Sequence, residues 1–174
     1  MKKTIILSIF ISIFYLFTSN VIAKTIEIPN DAVRIRIVPN SNKKEDQEIK
    51  TKVKNRLQIE LYQMLKNAQN SSEAKTIINN NLNKIDEDIK KTLDEEKYEK
   101  DYNLSFGYNY FPKKEYKGIK YSEGYYESLL VTLGEGKGDN WWCVLFPPLC
   151  LIESENTKNT EYKSLIKEIL DKYL

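Results

Sequence analysis

The chain has 174 residues, which fits one domain, and it contains no histidine. That absence removes the commonest general base and the commonest transition-metal ligand of proteins. The net charge is +2, and Lys2 and Lys3 are the only charges in the first 23 residues, so residues 24–174 are neutral overall. This balance argues against a nucleic-acid binder.

The N-terminus has the pattern of an export signal. Met1–Lys3 is a short positive segment, Ile5–Phe17 is an apolar run, and residues 21–23 form a cleavage-like sequence that ends in Ala23. The pattern predicts a signal peptide over residues 1–23, followed by a single domain over residues 24–174. The alternative is an uncleaved anchor, although the apolar run is shorter than the ~20 residues that span a bilayer.

A strand and a long helix are predicted next. Residues alternate over Val33–Val38, which favours a strand that ends at Pro39. Asn42 and Glu45 have the spacing of a capping box, so a helix is expected from there to about Ala68. Its apolar positions recur at spacings of three and four: Ile49, Val53, Leu57, Leu61, Met64 and Leu65.

A second capping box opens the following helix, with Asn70 at the cap and Glu73 three residues later. The apolar stripe of this helix is Ile78, Leu82, Ile85, Ile89 and Leu93. Because only Gln69–Ser72 connects the two helices, they are expected to form an antiparallel hairpin.

The C-terminal half changes to a period of two. Strands are predicted from Tyr102 to Tyr110, over Tyr125–Leu133 and over Trp142–Phe146. A short C-terminal helix follows, with Tyr162, Ile166, Ile169, Leu170 and Tyr173 near one side. The fold class is therefore α+β: an N-terminal strand, an antiparallel helical hairpin, a small mostly antiparallel sheet and the C-terminal helix.

Three glycines, Gly134, Gly136 and Gly138, follow the second of these strands. A Walker loop requires GxxxxGK[ST] and a dinucleotide fingerprint requires GxGxxG before a helix, and neither pattern fits. We expect a turn that uses positive φ, and no cofactor.

Cys143 and Cys150 are the only cysteines. Two cysteines without histidine make a poor zinc site, so no metal is predicted. In an exported chain a disulfide is favoured, and Pro147 and Pro148 would stiffen its ring. The alternative is a pair of buried thiols.

No catalytic residue is predicted. Glu123 and Glu127 could serve a glycosidase, but a chain with 25 acidic residues has many such pairs. The adjacent tryptophans are either core or an apolar patch for a partner. Strand alternation predicts an exposed Trp141, and a buried Trp142 that shares its face with Val144 and Phe146.

The sequence of Gly134–Cys150 resembles the signature of the stage II sporulation protein R family. Arg34–Ser41 resembles the first strand of that family and its turn at Asn40 and Ser41. The resemblance covers residues 32–152 and leaves a variable tail at residues 153–174. The family more often has histidine at the position of Arg36 and alanine at that of Pro39.

The resemblance implies a protein that is exported from the forespore into the space between forespore and mother-cell membranes. There it would activate a membrane-embedded aspartic protease of the mother cell, which processes a sigma-factor precursor. This implies a ligand and not an enzyme, near a membrane surface and without nucleic acid. The alternatives are a secreted carboxylate-dependent cell-wall hydrolase and a membrane-anchored structural protein. The predicted partner-binding residues are Glu135, Lys137, Asn140, Trp141, Trp142, Phe146, Pro147 and Pro148.

Overall fold

The computed structural model describes residues 28–116, 119–152 and 167–173. The predicted signal peptide and most of the predicted tail lie outside the described residues. The strands are β1 (Val33–Val38), β2 (Tyr102–Phe111), β3 (Lys114–Tyr116), β4 (Ile119–Tyr121), β5 (Gly124–Leu133) and β6 (Trp141–Phe146). The helices are α1 (Lys44–Leu65), α2 (Ser71–Asn80), α3 (Leu82–Glu95), the 3₁₀ helix Leu149–Ile152 and α4 (residues 167–173).

Four strands form one mixed sheet in the order β2-β5-β1-β6, and β3 pairs with β4 in a separate hairpin. β1 is parallel to β5, and the pairs β2–β5 and β1–β6 are antiparallel. The α+β class is therefore confirmed. The first strand of the chain lies inside the sheet, between two strands from the C-terminal half.

The first predicted helix forms, with Val53, Leu57, Leu61 and Leu65 buried along one side. The second predicted helix is two helices, because α2 ends at Asn80 and α3 begins at Leu82. At the break, the Asn81 side chain donates a hydrogen bond to the Ile77 carbonyl (2.8 Å). A side chain that competes in this way for backbone groups interrupts a helix, and no local periodicity reveals it.

One predicted cap is confirmed and the other is wrong. The amide of Glu73 donates to the Asn70 side chain (2.9 Å), as a capping box requires. At the start of α1, Lys43 occupies the cap position and makes no side-chain cap hydrogen bond. Asn42 instead accepts a hydrogen bond from the distant amide of Asp139 (2.6 Å).

The two faces of the four-stranded sheet carry different cores. On one face, here named the helix face, Val33, Ile35 and Ile37 of β1 pack with the buried residues of α1, α2 and α3. On the opposite face, here named the hairpin face, the buried apolar residues join the β3–β4 hairpin and α4: Phe111, Ile119, Tyr121, Tyr126, Trp142, Val144 and Leu170. Alternation along β1 places Arg34 and Arg36 on this second face.

Candidate functional site

The glycine turn between β5 and β6 is clamped onto the turn that follows β1. The amide of Glu135 donates to the Asn40 side-chain oxygen (3.0 Å), and the amide of Lys137 donates to the Asn40 carbonyl (3.1 Å). The amide of Gly138 donates to the Pro39 carbonyl (3.0 Å). The two most recognisable parts of the sequence, at Asn40 and at residues 134–138, are therefore halves of one structure.

Glycine is required in this turn for two reasons. Gly134 and Gly136 have φ of +57° and +62°, where other residues are strained. A Cβ on Gly138 would collide with the Ser41 carbonyl, and one on Gly134 would collide with the Asn40 side chain. The predicted positive-φ turn is confirmed, and its glycines serve close backbone packing.

A buried carboxylate stabilises the hydrogen-bonded contact between the glycine turn and the turn after β1. Asp46, in the first turn of α1, accepts hydrogen bonds from the Asn40 amide nitrogen (2.9 Å) and the Ser41 hydroxyl (2.6 Å). These hydrogen bonds, aided by Lys100, hold the pKa of Asp46 below its ordinary 3.8. The predicted motif residues Asn40 and Ser41 thus act in the architecture of the turn.

The outer side of the same turn faces solvent. Glu135 and Lys137 form an ion pair at 2.6 Å, with side chains 67% and 74% exposed, and Asn140 is exposed as well. Exposed ion pairs contribute only about 0–1 kcal/mol to stability. The side chains of these three predicted partner-binding residues are therefore accessible, and the ion pair between two of them contributes little to stability.

The tryptophans point to opposite faces of β6. Trp142 is 8% exposed on the hairpin face and meets Phe111 and Tyr121 edge to face, with ring centroids 5.4 and 5.2 Å away. Trp141 is half-buried on the helix face, with the Lys54 ammonium 5.6 Å from its ring centroid. The prediction of a buried Trp142 is confirmed, whereas Trp141 is less exposed than expected.

A β-bulge changes the face of Phe146. Val144 lies opposite Arg34, but Phe146 lies opposite Val33, so Leu145 is the extra residue. Phe146 therefore packs on the helix face, 5.1 Å from the Tyr173 ring, and does not share the face of Trp142. The predicted grouping of Phe146 with Trp142 is wrong for this reason.

The predicted disulfide is absent. Cys143 and Cys150 are both in the thiol form. Each thiol is directed at the Val144 carbonyl oxygen, at 3.8 Å from Cys143 and 2.9 Å from Cys150. Cys150 is buried and Cys143 is half-buried, which is close to the buried-thiol alternative. Of the neighbouring prolines, Pro147 is buried and Pro148 is half-buried.

The two carboxylates considered for hydrolysis each contact a different residue. Glu127 makes an ion pair with Lys75 (2.9 Å), and Glu123 accepts a hydrogen bond from the Tyr110 hydroxyl (3.4 Å). Within the described part of the chain, no three Cys, Asp or Glu side chains are grouped so that they could hold a metal. No helix within the same residues is long and apolar enough to cross a membrane.

The sequence predicted neither a site role nor burial for the two arginines of β1. Arg34 is 0% exposed, and its Cζ lies 3.4 Å from the centroid of the Tyr126 ring. Burial lowers the pKa of Arg34 to about 10. Arg36 donates to the Tyr110 carbonyl (2.6 Å) and lies over Phe111 at 4.3 Å. Local alternation shows that the two arginines share a face but not that this face is covered.

The clamped glycine turn and the tryptophan strand lie inside the segment that comparison with known families matches. The chain belongs to the Stage II sporulation protein R family, whose model matches residues 29–156. It is 33% identical to the Stage II sporulation protein R of Bacillus subtilis (strain 168), over 189 aligned positions that cover 100% of this chain and 84% of that protein. No solved structure matches the chain. The family is named for sporulation and not for a reaction.

Proposed function

We propose that the chain is an exported sporulation signal that activates a membrane-embedded aspartic protease of the mother cell. The protease would then process a sigma-factor precursor. Membership of the Stage II sporulation protein R family over residues 29–156 is the observation that carries this proposal. Glu123 and Glu127 contact different residues, Tyr110 and Lys75, which agrees with a ligand more than with a hydrolase.

The contact surface that we propose lies at the start of β6. Glu135, Lys137 and Asn140 are exposed there, and half-buried Trp141 follows directly. β6 is at one end of the sheet order, and no strand among residues 28–116 and 119–152 pairs with its outer edge. Tryptophan is a frequent anchor of protein interfaces, which supports Trp141 as the central contact.

The remaining predicted partner-binding residues have a different part in this proposal. Trp142, Phe146 and Pro147 are buried, so their part is to hold the contact residues at the start of β6 in position. Half-buried Pro148 lies at the far end of β6, beside an apolar depression formed with Tyr62 and Leu65. A partner that follows β6 from Trp141 would reach it.

The test co-produces this chain with the protease and its precursor substrate and measures precursor cleavage. We expect cleavage with the full chain and none without it. A version that starts at Lys24 should remain in the forespore cytoplasm and fail to trigger cleavage during sporulation. Cleavage that is equal in the presence and absence of this chain would overturn the proposed function.

The contact surface is tested in the same assay with Trp141→Ala and a matched control, Tyr108→Ala. Tyr108 is 71% exposed on β2, at the opposite end of the sheet order. We expect the Trp141 variant to weaken activation about thirtyfold or more, as loss of an interface anchor does. Full activation by a folded Trp141 variant would reject this surface.

A further inference from the structure

The hairpin face contains buried cationic donors that have no well-placed hydrogen-bond acceptor among the described residues. Nε, Nη1 and Nη2 of Arg34 are buried, and none has a hydrogen-bond acceptor in the described structure. Nε of Arg36, two residues further along β1, is also buried without a hydrogen-bond acceptor in the described structure. Burial of a charge without a partner is strongly unfavourable, so a native chain rarely retains it without a use.

Aromatic rings account for only part of the environment of Arg34. The guanidinium stacks on Tyr126, and the centroids of Phe111 and Trp142 lie 5.0 and 5.2 Å from its Cζ. Rings attract the cation through their faces, but they do not accept the N–H groups at the edge of the guanidinium plane. The charge and hydrogen-bond interactions of Tyr126 raise the pKa of Arg34 but do not offset the lowering by burial. Within residues 28–116 and 119–152, neither arginine makes an ion pair with a carboxylate.

The cover over this site includes an element that forms no strand pairing with the four-stranded sheet. The β3–β4 hairpin has three residues in each described strand and pairs with no strand of the four-stranded sheet. Among the hairpin residues whose burial is described, Ile119 and Tyr121 are buried, and Tyr121 contacts Trp142 edge to face. A two-stranded hairpin is only marginally stable alone, so we expect this part of the cover to move more readily than the strands of the sheet.

We propose that Arg34 and Arg36 form a binding site for one carboxylate, which enters when the β3–β4 hairpin lifts from the sheet. A guanidinium donates two parallel hydrogen bonds to a planar carboxylate. One negative charge is easier to desolvate among aromatic rings than the two charges of a phosphate. The inference concerns ligand binding by this chain alone and does not depend on the proposed function.

The test titrates the purified full chain with sodium acetate, with the acetylated and amidated peptide Gly-Asp-Gly, and with inorganic phosphate, all at constant ionic strength. Trp142 beside Arg34 reports binding by fluorescence in a Trp141→Phe background. We expect a saturable change and a higher melting temperature with a carboxylate. A stronger response to the peptide than to acetate identifies a protein side chain as the source, and an equal response identifies a free acid.

Four variants make the assignment specific. Arg34→Met should remove the response. Arg34→Lys keeps the positive charge but lacks the planar guanidinium that donates two parallel hydrogen bonds, so it should weaken binding at least tenfold. Lys120→Met removes an exposed cation of the same hairpin and should leave binding unchanged. Ile119→Ala removes apolar contacts that hold the hairpin on the sheet. It should therefore raise the population of the form in which the hairpin is lifted, and tighten carboxylate binding several-fold.

Each part of the inference can fail separately. A response that survives Arg34→Met, or the lack of any saturable response in the unaltered chain, overturns the site. Tighter binding of phosphate than of both carboxylates overturns the ligand class. Unchanged or weaker binding by a folded Ile119→Ala variant overturns entry beneath the hairpin.

Discussion

The helix face and the hairpin face of the sheet are built from the same strands but contain different chemistry. Val33, Ile35 and Ile37 lie on the helix face, where three helices cover them with apolar side chains. Arg34 and Arg36 alternate with them on the hairpin face, beneath a short hairpin and α4. From this difference we expect the helix face to supply most of the stability and the hairpin face to retain buried charge that stability does not require.

The largest expected effect comes from the helix face. Ile35→Ala should lower the free energy of unfolding by about 2–5 kcal/mol, because it leaves a cavity at the centre of the sheet. Urea unfolding measures this loss. Ile59→Ala is the control, because Ile59 is 62% exposed and its truncation should cost no more than about 0.5 kcal/mol. A loss at Ile35 as small as that at Ile59 would remove the contrast between the faces.

A smaller loss is expected at the glycine turn that joins β5 to β6. Gly138→Ala should destabilise the chain by about 1–3 kcal/mol, because its Cβ meets the rigid Ser41 carbonyl. Gly107→Ala on β2 is the matched control, since a Cβ there meets nothing within 4 Å. The same unfolding experiment compares the two variants. Equal stabilities of the two variants would show that the turn adjusts to the added Cβ at little cost and that its contact with Asn40 does not hold it rigidly.

Asp46 beneath that turn should give the fold a specific acid sensitivity. Its pKa is lowered in the folded chain, mainly by hydrogen bonds from Asn40 and Ser41. The stabilisation is therefore fully present above the ordinary pKa of 3.8 and is lost as the pH falls through the lower folded value. Asp46→Asn should show a shallower loss of stability in this range.

Urea midpoints measured at neutral pH and at a series of acidic pH values test the effect of Asp46. The control is Asp94→Asn, which alters an exposed ion pair with Lys90. That variant should follow the unaltered chain closely. An acid profile of Asp46→Asn that coincides with the unaltered profile would contradict the assigned role.

The smallest expected effect is that of a reducing agent. Because Cys143 and Cys150 are thiols, reductant should leave the melting temperature unchanged. Alkylation of the unfolded, unreduced chain should label both cysteines, as mass spectrometry can show. A linked pair of peptides, together with a lower melting temperature in reductant, would restore the disulfide that the sequence favoured.

Local sequence patterns predicted the elements but not the long-range contacts that define the site. Alternation identified β1, and the spacing of Val53, Leu57, Leu61 and Leu65 identified α1. The position of β1 between β5 and β6 arises from pairing with residues about a hundred positions away. That pairing is what buries Arg34, so no pattern within β1 could show it.

The signature segment was recognised more easily than it was interpreted. Its glycines and Asn40 were identified as a turn, yet their mutual hydrogen bonds depend on the folded sheet. Strict alternation through β6 failed at Leu145, because a bulge adds one residue to one strand only. Much of the signature is therefore architecture, whereas Glu135, Lys137 and Asn140 on its outer side are exposed to solvent.

The free energy of unfolding of Arg34→Met tests the contrast between the two faces most directly. The change removes a buried cation whose nitrogens lack acceptors and keeps a side chain of similar length. If the hairpin face holds Arg34 at a cost in stability, the variant should be more stable than the unaltered chain by about 1 kcal/mol or more. A variant less stable by several kcal/mol would show that the aromatic rings make Arg34 a structural residue, and the two faces would then serve the same purpose.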